Sequence, residues 1–355
     1  MQTLSFRAGP GALRKIREEG FSPAQIGALL GASGGAKWLV LSQLDRVLAR
    51  EVLPHLVGPV FTLGSSIGAW RFACLAQADP LAAIDRFETA YLAQRYSERP
   101  DRDEITARSR EILDELFGAH GEREVLDHTV LRTNVMCVRS RHLTASEGTI
   151  TLGSVLGVAA LGNLLSRRSL GAFFERALFY DARTRSPFAH AEGFPLREVP
   201  LSTTNLRQAV AATGSIPLLL NGVRDIPGAP PGMYRDGGVI DYHLDLPQSP
   251  SDGRLALYLH FIDRIVPGWF DKRLSHRRAQ AAHVHNTLLI SPSPDFVATL
   301  PNGKIPDRKD FTAHGAADRE RHWRIAVDRC GALADELNNV LANGTMGDRL
   351  APLLP

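Results

Sequence analysis

Between Val60 and Ala78 the chain passes from an apolar run, Val60-Phe61-Thr62-Leu63, through Gly64-Ser65-Ser66-Ile67-Gly68 into a second apolar, Ala-rich run. This pattern implies a strand, a sharp turn and a helix. A G-x-S-x-G pentapeptide in that setting is a nucleophile elbow: the serine backbone is strained, and the strand and helix beside it leave room only for small neighbours. Ser66 is therefore a candidate nucleophile. Glycine and serine are also ordinary turn residues, so the pentapeptide needs support from the rest of the chain.

A second strand-to-helix junction precedes it. Ile26 to Leu30 is a short apolar strand pattern, Gly31-Ala32-Ser33-Gly34-Gly35-Ala36-Lys37-Trp38 follows, and Val40, Leu44, Val47 and Leu48 then recur at helical spacing up to Pro54. A glycine-rich loop at a helix start offers backbone N–H groups to an anion. A P-loop needs Gly before the lysine and Ser or Thr after it, whereas Ala36 and Trp38 stand there, and no G-x-G-x-x-G fits these glycines. The chemical use left is an oxyanion hole, with a plain tight turn as the structural alternative. Gly31 to Gly35 also satisfies G-x-S-x-G, so Ser33 competes with Ser66. The tighter frame of a four-residue apolar run and an immediately apolar helix favours Ser66.

The 355 residues suffice for one large α/β domain, and the 44% hydrophobic and 22% charged content is that of a soluble globular chain. A net charge of +3, with acids and bases interleaved as in Asp101-Arg102-Asp103-Glu104, excludes a nucleic-acid-binding reading. Cys74, Cys137 and Cys330 form no C-x-x-C pair, which argues against a disulfide framework or zinc cluster. The segment before Glu19 lacks a signal-peptide core, and its Ala12 to Glu19 portion reads as a short polar helix. A cytoplasmic location is expected.

Residues 79 to 120 carry two apolar helical stripes separated by Pro100, and a strand is expected at 130–138. Ile150 to Leu165 is the most apolar piece of the chain. It is shorter than the ~20 residues of a membrane span and stops at Arg167-Arg168. It is expected to be a buried core helix, with an apolar cap over a lipid cleft as the alternative. A strand at 177–180 and a helix at 203–213 lead to the loop Tyr234-Arg235-Asp236-Gly237-Gly238-Val239, which sets a carboxylate beside two glycines. His243 lies close enough in sequence to serve a Ser-His-Asp triad, and His283-x-His285 lacks the further ligands of a metal site. Strands are expected at 256–262 and 284–290. Val266 to Phe270 joins two aromatics to turn residues, and Trp323 to Val340 traces one face of a long final helix.

Three of these segments occur in an order that resembles the patatin-like phospholipases and lipid acyl hydrolases. The segments are Ser33-Gly34-Gly35-Ala36-Lys37, Gly64-Ser65-Ser66-Ile67-Gly68 and Asp236-Gly237-Gly238, with Ala211 to Pro217 resembling the stretch that precedes the aspartate loop in that family. The resemblance covers about 25–246. It implies a three-layer α/β/α sandwich with a mainly parallel sheet in one domain, 247–355 being an extension packed on the same body. It also implies a Ser66–Asp236 dyad without histidine and an oxyanion hole from the N–H groups of Gly34, Gly35 and Ala36. Lys37, Gly64, Gly68, Gly237 and Gly238 would support the site. Ser33 and Trp38 depart from the family pattern, where glycines are usual. The implied activity is acyl-ester hydrolysis of a lipid or small ester, without cofactor or metal and with transient membrane-surface contact. Two other readings stand beside it: a nucleotide- or phosphate-binding enzyme, and a silent lipid-binding or interaction protein.

Overall fold

The computed structural model describes residues 2–354. Its strands are β1 (Leu4–Ala8), β2 (Ile26–Gly31), β3 (Val60–Ser65), β4 (Leu131–Ser140), β5 (Phe174–Tyr180), β6 (Leu196–Pro200), β7 (Val223–Arg224), β8 (Met233–Asp236), β9 (Leu255–Leu259), β10 (Thr287–Pro292) and β11 (Leu350–Pro352). The helices of the first half are α1 (Pro10–Glu19), α2 (Ser42–Val47), α3 (Ile67–Leu75), α4 (Pro80–Leu92), α5 (Arg102–Phe117) and α6 (Gly121–Asp127). The second half adds α7 (Thr149–Leu165), α8 (Leu206–Thr213), α9 (Pro294–Thr299), α10 (Asp310–Ala313), α11 (Ala316–Arg329), α12 (Gly331–Ala342) and α13 (Met346–Arg349).

The strands form one sheet in the order β11-β1-β10-β9-β2-β3-β4-β5-β6, with β8 on β4 and β7 on β8. From β10 to β4 every pairing is parallel; β1 on β10, β4 on β5, β4 on β8 and β7 on β8 are antiparallel. With helices on its faces this is the expected three-layer α/β/α fold, with a sheet mixed at its flanks. Every residue of β2, β3, β9 and β10 is buried, as parallel strands covered on both faces require. The C-terminal strands β9 and β10 extend the same sheet, as expected, and lie between β2 and the N-terminal strand β1. The short outer strands β1, β6 and β11 were not expected from the sequence. β1 alternates buried and half-buried residues over only five positions, too few to separate it from a loop.

Two expected helices differ in detail. The final one is divided at Cys330, whose N–H donates to Ala326 O and Val327 O, and Gly331 begins a second helix. The apolar segment 150–165 is helical as expected but not a core helix. Only Leu152, Leu156, Ala159 and Asn163 are buried, a single stripe packed on Val138, Phe174, Val239 and Ile240. No helix among the described residues is long and apolar enough to cross a membrane.

Candidate active site

The geometry of the site follows from one strand. β4 pairs with β5 along one edge from Asn134 to Ser140. Its other edge is held by β3 up to Ser65, opposite Met136, and then by β8 from Asp236, opposite Cys137. The two partners therefore meet end to end on adjacent positions of β4. The residue after Ser65 and the residue ending β8 are brought together by register, although 170 positions separate them in the chain.

Ser66 stands between β3 and α3 at φ 53°, ψ −130°, a conformation costly for a side chain larger than glycine. Its N–H donates to Thr213 Oγ1 at 2.8 Å, and Thr213 Oγ1 in turn donates to Met136 O. These bonds hold the turn from outside. The flanking glycines are required by space, not by φ: a Cβ on Gly64 would lie 2.4 Å from the Ala69 nitrogen, and one on Gly68 2.0 Å from Gly31 O. At those distances backbone would have to move, so α3 can start directly beneath β2 and β3 only over glycine.

The Ser66 hydroxyl donates to Asp236 Oδ2 at 2.7 Å, and Asp236 Oδ1 accepts the Gly238 N–H at 2.7 Å. Both side chains are buried. Burial raises the Asp236 pKa from 3.8 to about 6, opposed by the Ser66 hydroxyl, the Gly238 N–H, the Lys272 ammonium and the Ser33 hydroxyl. The carboxylate is thus ionised at neutral pH yet far more basic than a solvated one. Gly237 and Gly238 let the loop fold tightly, since a Cβ on the first would meet Met136 O at 2.1 Å and one on the second Ser33 Oγ at 2.4 Å.

The glycine-rich loop leaves β2 at the same sheet end. Gly34 is at φ −175° and Gly35 at φ 55°, and a 3₁₀ turn spans Gly35–Val40. Among the described residues no protein acceptor meets the N–H of Gly34, Gly35 or Ala36, so three backbone donors are free at the head of that turn. Trp38 turns its ring out of the loop into the body of the protein. It is buried away from the site, stacked on Phe87 at 4.2 Å between centroids and edge-on to Tyr91. Among the described residues Lys37 makes no ion pair; its ammonium lies 4.7 Å over the Phe261 ring, and burial lowers its pKa.

Ser33 does not have the elbow conformation. Its N–H donates to Tyr242 O and its hydroxyl to Ser65 Oγ at 2.9 Å. His243 is buried with Nδ1 accepting the Val266 N–H at 3.0 Å, stacked on Tyr242; burial, with His260 beside it, pushes its pKa well below the usual range. Among the described residues no histidine hydrogen-bonds to Ser66 or Asp236. His283 instead holds Asp245 at 2.8 Å and His285 packs on Gly11.

Several groups were not singled out from the sequence. Thr213 and Ser215 tie the end of α8 to the elbow and to the Asp236 N–H. Arg176 clamps Asp241, five residues past Asp236, through two bonds of 2.7 Å, both partners being buried. The one available signal was Asp241 in Asp241-Tyr242-His243, but its partner is contributed by β5, and no spacing links the two.

No protein-family model matches this chain, and no curated protein matches its sequence. Among solved structures the crystal structure of VipD from Legionella pneumophila is similar to it, with a TM-score of 0.31 and 14% identity over 66% of this chain and 50% of that one. The chain thus spans half the length of that protein, and a likeness of this size carries no functional argument.

Proposed function

We propose that this chain is a serine acyl-ester hydrolase acting on a lipid or small acyl ester, with Ser66 as nucleophile and Asp236 as its base. The single observation that carries the reading is the 2.7 Å hydrogen bond from the Ser66 hydroxyl to the buried Asp236 carboxylate. A carboxylate is ordinarily a weak base for serine. One raised to about 6 accepts the proton with less loss, and the positive start of α3 favours the developing alkoxide.

In the first step Ser66 Oγ bonds the acyl carbon while its proton passes to Asp236. The carbonyl electron pair moves onto oxygen, where the free N–H groups of Gly34, Gly35 and Ala36 receive the charge. Collapse of the adduct breaks the bond to the leaving alcohol, which takes the proton from Asp236. Water then attacks the acyl-enzyme, gives its proton to Asp236, and releases the carboxylic acid as Ser66 recovers its hydrogen.

Labelling with a serine-reactive fluorophosphonate tests this. Covalent label on the native chain, lost in Ser66→Ala and strongly slowed in Asp236→Ala, is the expected result. Label retained in Ser66→Ala overturns the assignment. Tight ATP binding without ester hydrolysis would favour a phosphate-binding role for the Gly34-Gly35-Ala36-Lys37 loop.

A further inference from the structure

The helix α7 has no charged residue over its 17 positions and buries only one stripe. The opposite face is apolar and open: Ile150 is 86% exposed, Val158 58%, Leu161 66%, Leu164 56% and Leu165 91%. Isolated exposed leucines are common on protein surfaces, but Val158, Leu161, Leu164 and Leu165 are neighbours on one helical face, with Ile150 on the same face two turns before them. Leu143, on the turn packed beside α7, is also 62% exposed.

The helix is anchored from below. Asn163 Nδ2 donates to Asp271 Oδ1 at 2.8 Å, and Arg167 donates to Ile240 O at 2.6 Å. The open face is therefore held in place at the sheet end that carries Ser66, because the buried stripe rests on Val239 and Ile240, just past Asp236.

Charge supplies the second observation. Arg277 donates to Asn163 O at 2.9 Å, so the segment between Asp271 and Arg277 is strung past the C-terminal half of α7. On or just beyond that segment Arg273, His276 and Arg278 are exposed, as is Arg168 immediately after the helix. Asp271 is the only acid between Trp269 and Asn286, and it is buried. An apolar face with exposed cations on the segments beside it matches the boundary of an anionic bilayer, where acyl chains accept the leucines and headgroups the arginines.

We infer that the outward face of α7, with Arg168, Arg273 and Arg278 on the segments beside it, is a docking surface for an anionic lipid bilayer. This stands whether or not Ser66 is catalytic. Co-sedimentation of the full chain with vesicles tests it, using phosphatidylcholine alone and phosphatidylcholine with phosphatidylglycerol. The native chain should pellet with the mixed vesicles, more weakly with phosphatidylcholine, and less as salt rises.

The triple variant Val158→Ser, Leu161→Ser, Leu165→Ser should lose roughly tenfold or more of that partitioning, because it removes about half of the exposed apolar side chains, those of the C-terminal half of the helix. All three are exposed, and an unchanged thermal melt verifies folding. Arg273→Glu with Arg278→Glu should lose only the anionic preference. Ser66→Ala should pellet like the native chain, which separates docking from hydrolysis. Equal pelleting of native and triple variant, or a native chain that stays in solution with both vesicles, overturns the proposal. A concentration-dependent dimer abolished by the triple variant, without vesicle binding, assigns the face to a second copy and overturns it as well.

Discussion

Gly31 to Gly35 and Gly64 to Gly68 share one pattern, each following a buried parallel strand, yet they fold into different objects. At the second, the serine takes φ 53° and meets a carboxylate; at the first, the serine hydroxyl meets Ser65 and the left-handed residue is Gly35. The two turns also interlock. A Cβ on Gly68 would strike Gly31 O at 2.0 Å, and Gly31 is the opening glycine of the other pentapeptide. The contrast teaches that the pentapeptide specifies room for a close turn, while the partner that the strand register supplies decides which serine faces a base.

The largest expected difference between the two serines is in rate. Ser66→Ala should lower kcat/KM for a soluble ester by about 10⁴-fold or more. Measurement on both alanine variants checks it, and a comparable loss in Ser33→Ala would erase the distinction. The glycines should differ in stability. Gly68→Ala forces backbone apart and should destabilise by about 3 kcal/mol in urea unfolding. Gly35→Ala has open space around its Cβ and should cost only about 1 kcal/mol of left-handed strain.

The buried carboxylate should itself weaken the fold. Its pKa in the folded chain is raised from 3.8 to about 6, so its contribution is intact below about pH 4 and is lost as pH rises through 6. Asp236→Asn should therefore gain up to about 3 kcal/mol over the native chain at pH 8 and nearly nothing at pH 4, while losing activity. Denaturation at the two pH values checks it. An Asn variant less stable at pH 8 than at pH 4, relative to native, would remove the desolvation argument.

The same carboxylate must be ionised to act as base. The pH profile of kcat/KM should thus rise through an apparent pKa near 6 and drop about tenfold per unit below it. The smallest effect is expected at Ser33, whose hydroxyl orients Ser65 and lies beside Asp236. Ser33→Ala should change kcat/KM less than about tenfold and shift that acidic limb slightly upward, since one stabilising contact to the carboxylate is removed.

Much of the fold was legible in local pattern. The continuous apolar runs of β2 and β3 state that both faces are covered, and the glycines at 64, 68, 237 and 238 mark approaches that only a missing side chain allows. Trp38 was misleading as a loop residue, because its ring leaves the loop and stacks on Phe87, a contact no spacing reveals. The helix 149–165 was legible as a helix but not in its burial. Its composition is apolar all round, and only the position of its neighbours leaves one face uncovered.

By itself the sequence determined the central strands, which turns must be close, and which serines could stand in an elbow. Each of these rests on residues near in the chain, where side-chain volume and backbone freedom act directly. Only the tertiary structure decided that Ser66 and Asp236 face one another. That contact depends on β3 and β8 both ending at adjacent positions on one edge of β4, a long-range register fixed by the packing of the whole sheet.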